Sequence, residues 1–271
     1  MVWFGGVRHL QKVLRHVSFF FQVFRQARYV DVIFSQDPVS VGLPAYLASF
    51  LRRKPFSLKV VGDYAWEQFQ NRMHGLGFRV QGAENNRRFV TLEQFQDKRF
   101  DFMTEMRKKM ERFVARRARL LIVPSEYLKE IMIRWGVREQ KIKVIYNSFE
   151  SKAMAISRER SREKHKLEGK IIISAGRLVP WKGFDVLVRT VGAMSYAMPE
   201  IRLIIIGSGP EDGMLRKLAK ELSIADRVVF TGGVVHEEIL QYFRAADCFV
   251  LASGYEGFSH TLLEAMAMGT P

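Results

Sequence analysis

Residues 253–264 read Ser-Gly-Tyr-Glu-Gly-Phe-Ser-His-Thr-Leu-Leu-Glu. An apolar run at 248–251 precedes them and predicts a buried strand, and the pattern at 262–268 predicts a helix. Gly257 lies in the turn between the two and allows a ligand to approach the backbone closely. Ser259 is a suitable N-cap for the helix. A strand, a tight turn and a helix in this order form the repeating unit of an α/β fold.

Two carboxylates flank this helix start. Glu256 lies before the turn, and Glu264 lies about one and a half turns into the helix. The free amides of the first helical turn favour an anion near the end of the strand. The stretch therefore predicts an anion site between two carboxylates that can bind hydroxyl groups, and a nucleotide sugar carries both kinds of group. The alternative is a capped surface helix with two solvated glutamates.

Short apolar runs alternate with helical patterns along the chain, which predicts parallel α/β sheets. The predicted strands are 30–35, 56–61, 120–124, 142–146, 170–175, 202–206, 228–231 and 248–251. The predicted helices are 7–27, 44–52, 101–118, 126–135, 183–197, 211–222, 236–245 and 259–268, with Ser125 as a cap and Gly136 as a stop. Residues 148–166 are strongly charged and predict an interdomain connection. We therefore expect Rossmann-like domains at 1–150 and 169–271, with a linker at 151–168.

The composition favours anionic partners and a reducing compartment. The 271 residues carry a formal net charge of +15 and a pI of about 10.1, and 48% are hydrophobic. Such a charge favours nucleic acid, anionic lipid or phosphorylated substrates. Cys248 is the single cysteine, which excludes an intramolecular disulfide. The apolar block at 17–21 is too short for a membrane span, and the start lacks a signal-peptide cleavage pattern. We expect a cytoplasmic protein.

Much of the positive charge lies in one predicted helix. Its cations are Arg107, Lys108, Lys109, Arg112, Arg116, Arg117 and Arg119, and its apolar residues Met103, Met106, Met110, Phe113 and Val114 recur at helical spacing. The favoured interpretation is an ordinary helix that packs its Met and Phe side chains on a sheet. The alternative is a basic amphipathic helix on an anionic membrane surface.

Two cations follow the first predicted strand of the second half. Arg177 and Lys182 lie in the loop after 170–175, at the edge where open α/β sheets bind ligands. Arginine offers a planar fork for phosphate oxygens and lysine a compact charge, so the pair could neutralise a diphosphate. Two ordinary surface cations are the alternative in a chain this basic.

Gly207 and Gly209 end the next predicted strand. A Gly-x-Gly pair alone is weak evidence, and it is not the dinucleotide fingerprint, because Asp212 stands where the third glycine would be. His236 and His260 lack the spacing of a metal site with the cysteine or with a carboxylate pair. We therefore expect no bound metal.

Five motifs of the second half occur in one order. They are Gly176-Arg-Leu-Val-Pro-Trp-Lys-Gly183, Ile206-Gly-Ser-Gly-Pro210, Val229-Phe-Thr-Gly232, Tyr242-x-x-Ala-Ala-Asp247 and Glu256-Gly-Phe-x5-Glu264-Ala-Met-Ala-x-Gly-Thr-Pro271. Together they resemble the C-terminal domain of the family 4 glycosyltransferases, which have the GT-B fold of two Rossmann-like domains facing across a cleft. Residues 30–33, 59–63, 121–125 and 143–147 more loosely resemble strands of the acceptor-side domain of that family.

This resemblance implies a role for each matching residue. It implies that Arg177 and Lys182 hold the diphosphate, that Glu256 contacts the transferring sugar and that Glu264 binds the ribose hydroxyls. Stabilising the charge that grows on the leaving phosphate would be the main catalytic task.

The resemblance also implies the donor, the acceptor and the stereochemistry. Backbone amides of Gly257, Phe258 and Ser259 would help the phosphate to leave, and Gly207 and Gly209 would line the donor pocket. The implied enzyme is retaining, uses a UDP- or GDP-sugar, and requires neither a cofactor nor a divalent metal. Apart from the resemblance, the basic first half suits a glycan or lipid-linked acceptor, so we expect such an acceptor, an anionic membrane surface as a further partner and no nucleic acid.

The sequence departs from the family at its ends and at one position of the first half. The glycine-rich loop that follows the family's first strand is absent, since Gly5-Gly6 precedes a helical pattern, and the chain stops before the last strands. Val61 stands where the family often has a histidine, so Asp63 is either a catalytic candidate or a residue that caps a helix or ends the strand. We expect both domains to be incomplete and the chain to be a fragment of weak activity.

Two other functions remain open from the sequence. One is a basic nucleic-acid-binding protein, which explains the charge but not the carboxylate stretch, and the chain lacks the usual nucleic-acid-binding signatures. The other is a different GT-B enzyme, such as a sugar-nucleotide epimerase.

Overall fold

The computed structural model describes residues 12–75, 90–150 and 157–271. The chain divides into two compact units, with the boundary between Tyr146 and Asn147. The Gly5-Gly6 pair, the start of the predicted helix at 7–27 and the first part of the predicted linker lie outside the described residues. Both units are α/β and contain a parallel sheet, so each is a Rossmann-like unit as the sequence predicts.

The first unit alternates helices and strands. Its helices are α1 (Lys12–Gln26), α2 (Gly42–Leu51), α3 (Tyr64–Gly75), α4 (Leu92–Asp97), α5 (Phe102–Arg117) and α6 (Glu126–Arg134). Its strands are β1 (Ile33–Ser35), β2 (Phe56–Lys59), β3 (Leu120–Val123) and β4 (Ile142–Val144). They pair in the order β1-β2-β3-β4, and every pair is parallel.

Only one face of this sheet is fully buried. Side chains of that face come from all four strands and include Ile33, Phe56, Leu58, Leu121 and Ile142. The strand register places alternate residues on the opposite face, where Phe34 and Leu120 are exposed. Among the described residues, the first unit therefore buries its sheet from one side.

The second unit contains a sheet with a different strand order. Its strands are β5 (Lys170–Ala175), β6 (Ile201–Ile206), β7 (Val228–Gly232) and β8 (Cys248–Phe249). Its helices are α7 (Arg158–His165), α8 (Phe184–Met194), α9 (Asp212–Glu221), α10 (His236–Ala245) and α11 (His260–Ala267). The strands pair in the order β7-β6-β5-β8, all parallel, which matches the order 3-2-1-4 of the first four strands of a Rossmann fold.

The second sheet is buried on both faces. Leu203 and Ile205 of β6 belong to one core with side chains of α8 and α9. Ile204 and Ile206 of the same strand belong to a second core with Phe243 of α10 and Ala265 of α11. Strands covered on both faces read as continuous apolar runs, which explains why β6 has no polar alternation after Arg202.

The segment predicted as the centre of the linker contains α7, which belongs to the second unit. Ser157 caps this helix by accepting a hydrogen bond from the amide of Arg160. Arg158 and Arg162 both form ion pairs with Asp247, which lies between α10 and β8. Asp247 Oδ2 also accepts a hydrogen bond of 2.7 Å from the amide of Ile171 in β5. Two of the cations in this charged segment therefore make specific contacts beside the edge strand β8.

The favoured interpretation of the basic helix is wrong about which face is buried. The buried face of α5 carries Thr104, Lys108, Glu111, Val114 and Ala115. Met103, Met106 and Phe113 are exposed instead of packing on the sheet. Lys108 can be buried because its Nζ donates to the carbonyls of Phe95 and Lys98 and lies 3.3 Å from a Glu105 carboxylate oxygen.

No helix within the described ranges combines the length and the apolarity that a bilayer span needs.

Candidate functional site

The strand order of the second sheet reverses between two neighbours. The chain builds outward from β5 to β6 and β7, and then returns to place β8 on the other side of β5. In open α/β sheets, ligands bind outside the carboxyl ends of the strands at such a reversal. The loops that follow β5 and β8 are therefore the candidate site, and they contain the residues that the sequence singled out.

These two loops are tied together by their backbones. The amide of Gly254 donates a 2.8 Å hydrogen bond to the carbonyl of Trp181. Gly183 has a φ of 66°, and a Cβ there would lie 2.3 Å from the carbonyl oxygen of Ala252. Only glycine allows both this conformation and this approach. The start of α8 and the loop after β8 are thus held in direct contact.

The contact brings Lys182 and Glu256 into an ion pair. Lys182 Nζ lies 2.5 Å from Glu256 Oε1, and about a quarter or less of either side chain is exposed. Ser253 Oγ donates to the same carboxylate oxygen over 2.7 Å. The predicted diphosphate-binding lysine therefore neutralises the predicted sugar-binding carboxylate. An incoming anion would have to share or replace this partner.

Arg177 lies in the same loop as Lys182 and is exposed. Within the described parts of the chain, its side chain forms no hydrogen bond and no ion pair. A guanidinium without a protein partner is available to bind a phosphate in bidentate fashion.

Glu264 lies on α11 and is mostly buried, with 12% of its side chain exposed. Burial raises the pKa of Glu264, while the nearby His236 and His260 oppose that rise. His236 Nδ1 lies 3.9 Å from Glu264 Oε1, and the ring of Phe149 lies 6.2 Å from the histidine ring. The carboxylate of Glu264 is thus partly buried but can still accept hydrogen bonds from hydroxyl groups.

The helix start between the two glutamates forms as predicted. The hydroxyl of Ser259 caps α11 by accepting a hydrogen bond from the amide of Leu262, which confirms the predicted N-cap. The carbonyl of Phe258 accepts a 3.1 Å hydrogen bond from the Asn147 side chain. Gly257 lies in the same turn, half-buried. The amides assigned to the leaving phosphate thus lie at a defined helix start, and their role stays a prediction.

Gly207 and Gly209 are required by contact between loops. A Cβ on Gly207 would lie 1.9 Å from the carbonyl oxygen of Gly176, and a Cβ on Gly209 would lie 2.3 Å from that of Leu178. The amides of Gly176 and Leu178 also donate to carbonyls at the end of β6 and just beyond it. These contacts explain both glycines without a ligand, so a place in the donor pocket remains a prediction.

Asp63 lies in the first unit and acts as a helix cap. Its carboxylate is buried and accepts hydrogen bonds from the amide of Trp66 at 2.7 Å and from Gln96 Nε2 at 2.8 Å. Burial raises the pKa of Asp63, and burial together with Asp63 raises the pKa of Glu111 well above its usual value. The capping alternative is therefore what the structure shows, and a catalytic role for this buried group stays a prediction.

Two polar residues near the candidate site of the second unit were not predicted from the sequence to belong to that site. His236 is the first residue of α10, and Asn147 follows β4 after two residues. A signal for His236 exists, because it follows the Gly232-Gly233 turn at the carboxyl end of β7, on the same edge as the other site residues. Nothing in the sequence pattern pairs Asn147 with Phe258.

Groups of three or more His, Cys, Asp or Glu side chains that could hold a metal ion do not occur among the described residues.

Comparison with known proteins assigns the chain to a family. The sequence model of Glycosyltransferase Family 4 matches residues 5–151, which is more than half of the chain. The chain belongs to this family. The model of the glycosyl transferases group 1 matches residues 156–271. The two matched ranges coincide with the two halves of the chain whose motifs resemble this family.

Curated relatives are longer than the matched region. Mannosylfructose-phosphate synthase of Agrobacterium fabrum is 30% identical over 184 residues, which cover 63% of this chain and 40% of that protein. GDP-mannose-dependent alpha-(1-6)-phosphatidylinositol monomannoside mannosyltransferase of Mycolicibacterium smegmatis is 34% identical over 123 residues, or 42% of this chain and 32% of that protein. The matches therefore span two fifths or less of these relatives.

Solved structures show the fold. HepE of Anabaena in complex with UDP and glucose superposes with a TM-score of 0.71 at 21% identity, covering 93% of this chain and 61% of that chain. Sucrose-phosphate synthase of Thermosynechococcus elongatus gives a TM-score of 0.67 at 20% identity, covering 97% and 61%. The two Rossmann-like units are thus those of the GT-B fold.

Proposed function

We propose that this family 4 glycosyltransferase chain binds a nucleotide-diphosphate sugar in its second unit and transfers the sugar with retention of configuration. One observation carries the proposal. The strand-order reversal brings the cationic loop of Arg177 and Lys182 against the loop of Glu256, at the helix start that leads to Glu264. This edge offers cations for a diphosphate and carboxylates for sugar hydroxyls.

The charges suit the leaving group. When the bond between the anomeric carbon and the phosphate oxygen breaks, negative charge grows on the nucleoside diphosphate. Arg177 is free to bind that charge, and Lys182 can exchange its partner Glu256 for a phosphate oxygen. Fixed cations aimed at a developing charge are an effective form of catalysis. The released Glu256 can then accept hydrogen bonds from the transferring sugar.

Retention follows if the acceptor attacks from the side that the phosphate leaves. The acceptor oxygen forms a bond to the anomeric carbon, the bond to the phosphate oxygen breaks, and the acceptor proton passes to the departing phosphate. Such a step needs no protein nucleophile. It differs from a retaining glycosidase, in which two carboxylates about 5 Å apart flank the bond that breaks.

The donor is proposed to be a UDP- or GDP-sugar, held without a cofactor or divalent metal. UDP and glucose occupy HepE, and GDP-mannose appears in the name of the mycobacterial relative. That relative acts on a phosphatidylinositol monomannoside by its name, which supports a glycan or lipid-linked acceptor. We also propose that the protein acts in the cytoplasm, at the inner face of an anionic membrane.

Isothermal titration with UDP and with GDP tests the donor site. The Arg177→Ala variant should bind the preferred nucleotide more weakly by roughly 1.5–3 kcal/mol, which is typical of hydrogen bonds to a charged group. Arg189→Ala is the matched control, because Arg189 is an exposed arginine on α8 of the same unit. Equal affinity in the Arg177 variant and the wild type would remove Arg177 from the site.

A further inference from the structure

We propose that the exposed face of α5 docks the first unit on an anionic lipid bilayer through a cationic pocket for lipid phosphates. The proposal shares the membrane partner proposed above, but it uses residues remote in sequence from the donor site and rests on independent observations. These are an open cavity, a set of cations that have no carboxylate partner among the described residues and an adjoining group of exposed apolar side chains.

The cavity has a volume of about 330 Å³ and lies along the second half of α5. It is lined by Lys109, Arg112, Phe113, Arg116 and Arg117. Among the residues that the structure describes, no carboxylate contributes to the wall of this cavity. Four cations around one open cavity create a strong positive potential that favours a phosphate group.

The partners of the two arginines that are held by hydrogen bonds at this cavity do not neutralise them. Arg112 donates to the side-chain oxygen of Gln96, and Arg116 donates to the carbonyl of Trp135. Both partners are uncharged, so they fix the guanidinium groups without neutralising them. Lys109 and Arg117 have no carboxylate within ion-pair distance in the parts of the chain that the structure describes. Arg117 instead lies over the ring of Phe113, 5.3 Å from its centroid.

Apolar side chains lie on the same face of the helix as the cavity. Phe102 is 79% exposed, and Met106 and Phe113 are exposed as well. At 100° per residue, these three and the cations Lys109, Arg116 and Arg117 fall within an arc of about 100°. The favourable interaction of basic residues with a helix C-terminus would explain the last two arginines, but not exposed Phe102 and Met106.

The apolar surface continues onto a second helix. The ring of Phe113 contacts Tyr46 of α2 at a centroid distance of 5.6 Å, and Tyr46 contacts Phe50 at 6.3 Å. Phe50 and Leu51 of α2 are both more than half exposed. Arg52 and Arg53 follow directly in the sequence. Extended apolar area bordered by cations is typical of a surface that enters the headgroup region of a membrane.

This combination favours a bilayer over nucleic acid. Nucleic acid would be bound by the cations and could stack on Phe113, but exposed Met106 and Leu51 offer no stacking surface. A bilayer would contact both the cations and the apolar side chains, because lipid phosphates bind the cations while the apolar side chains enter the boundary of the acyl chains. Charge complementarity and the apolar area thus point to the same occupant.

Vesicle co-sedimentation with the whole chain tests the proposal. Wild type should bind vesicles that contain phosphatidylglycerol and should not bind vesicles of phosphatidylcholine alone. The double variant Lys109→Glu/Arg117→Glu should bind at least about tenfold more weakly, since each basic residue at an anionic surface is worth roughly a fivefold change. Lys217→Glu/Lys220→Glu, on exposed positions of α9, has the same change in net charge and should bind like wild type.

A second variant tests the apolar part. Phe102→Ser/Met106→Ser leaves the charge unchanged and should weaken vesicle binding several-fold, and the loss should persist at high salt, where electrostatic attraction is screened. Both α5 variants should bind UDP or GDP as wild type does, so failure of this proposal and failure of the donor site are separately visible.

Four outcomes would overturn the proposal. They are equal losses in the α5 and α9 double variants, equal binding to both kinds of vesicle, and suppression of vesicle binding by inorganic phosphate at the lipid concentration. The fourth is retention of duplex DNA without vesicle binding, if Lys109→Glu/Arg117→Glu abolishes that retention, because α5 would then be a nucleic-acid surface.

Discussion

The two sheets of this protein have the same number of described strands but differ in strand order and in burial. The first runs β1-β2-β3-β4 without a reversal, and one of its faces carries exposed apolar side chains. The second runs β7-β6-β5-β8, and cores cover both of its faces. A reversal creates a crevice between two loops, whereas a sequential order does not. The candidate donor groups lie in the loops at the reversal of the second unit.

Core truncations test the difference in burial, and we expect them to have the largest effect. Leu203 and Ile204 lie on opposite faces of β6, and both side chains are buried. Leu203→Ala and Ile204→Ala should therefore each lower the free energy of unfolding by about 2–5 kcal/mol. In the first unit, Leu58→Ala should cost a similar amount, while Leu120→Ala on the open face should cost much less.

Hydrogen exchange of the slowest amides in each sheet measures the loss of unfolding free energy separately for the two units. A large cost at Leu120, or a small cost at either Leu203 or Ile204, would contradict the contrast between the sheets.

The close contact between the loops after β5 and β6 gives the second prediction. Gly207→Ala should destabilise the second unit by roughly 1–3 kcal/mol or more, because Gly207 has a φ of 136° and its Cβ would collide with the Gly176 carbonyl. Gly213→Ala is the control, since a Cβ at that position of α9 meets no atom within 4 Å. It should stabilise by about 0.4–1 kcal/mol. Thermal unfolding compares the two, and equal shifts would argue against the observed loop packing.

The buried carboxylates of the first unit give a pH-dependent prediction. The folded-state pKa of Glu111 is raised above its usual 4.5 by burial and by Asp63. Between the unfolded and folded pKa values, the folded state binds more protons, so the contribution of this group to stability is lost as the pH rises. Glu111→Gln removes the titration. Its stability relative to wild type should therefore improve as the pH rises above about 4.5.

Urea unfolding at several pH values measures this trend. Glu126→Gln is the control, because the side chain of Glu126 is 63% exposed. Parallel pH dependences for Glu111→Gln and wild type would show that Glu111 is not perturbed.

The sequence predicts regular elements best where local signals agree with packing. Strand β5 and helix α10 have the predicted bounds, and Ser125 and Ser259 cap the predicted helices. Helix α4 was not predicted, because its six residues are too few for a periodic pattern, although Thr91 and Gln94 form a capping box.

The sequence could not predict which face of α5 is buried or which side chains pair in the candidate site, because both depend on tertiary contacts. Both faces of α5 carry residues at helical spacing, and only the structure shows that Lys108 finds buried carbonyl partners while Phe113 does not enter the core. In the candidate site, the sequence predicted that Arg177 and Lys182 lie in the loop after β5 and that Glu256 lies in the loop after β8. The Lys182–Glu256 pair and the His236–Glu264 proximity could not be predicted, because they depend on loop contacts across the strand-order reversal.

The central claim is that the nucleotide binds at the strand-order reversal of the second unit. Hydrogen exchange of the wild-type chain with and without saturating UDP or GDP tests it most directly. Exchange should slow in residues 176–183 and 253–264 and should stay unchanged in the strands of the first sheet. Protection confined to the first unit, or nucleotide binding without protection of either loop, would contradict the claim.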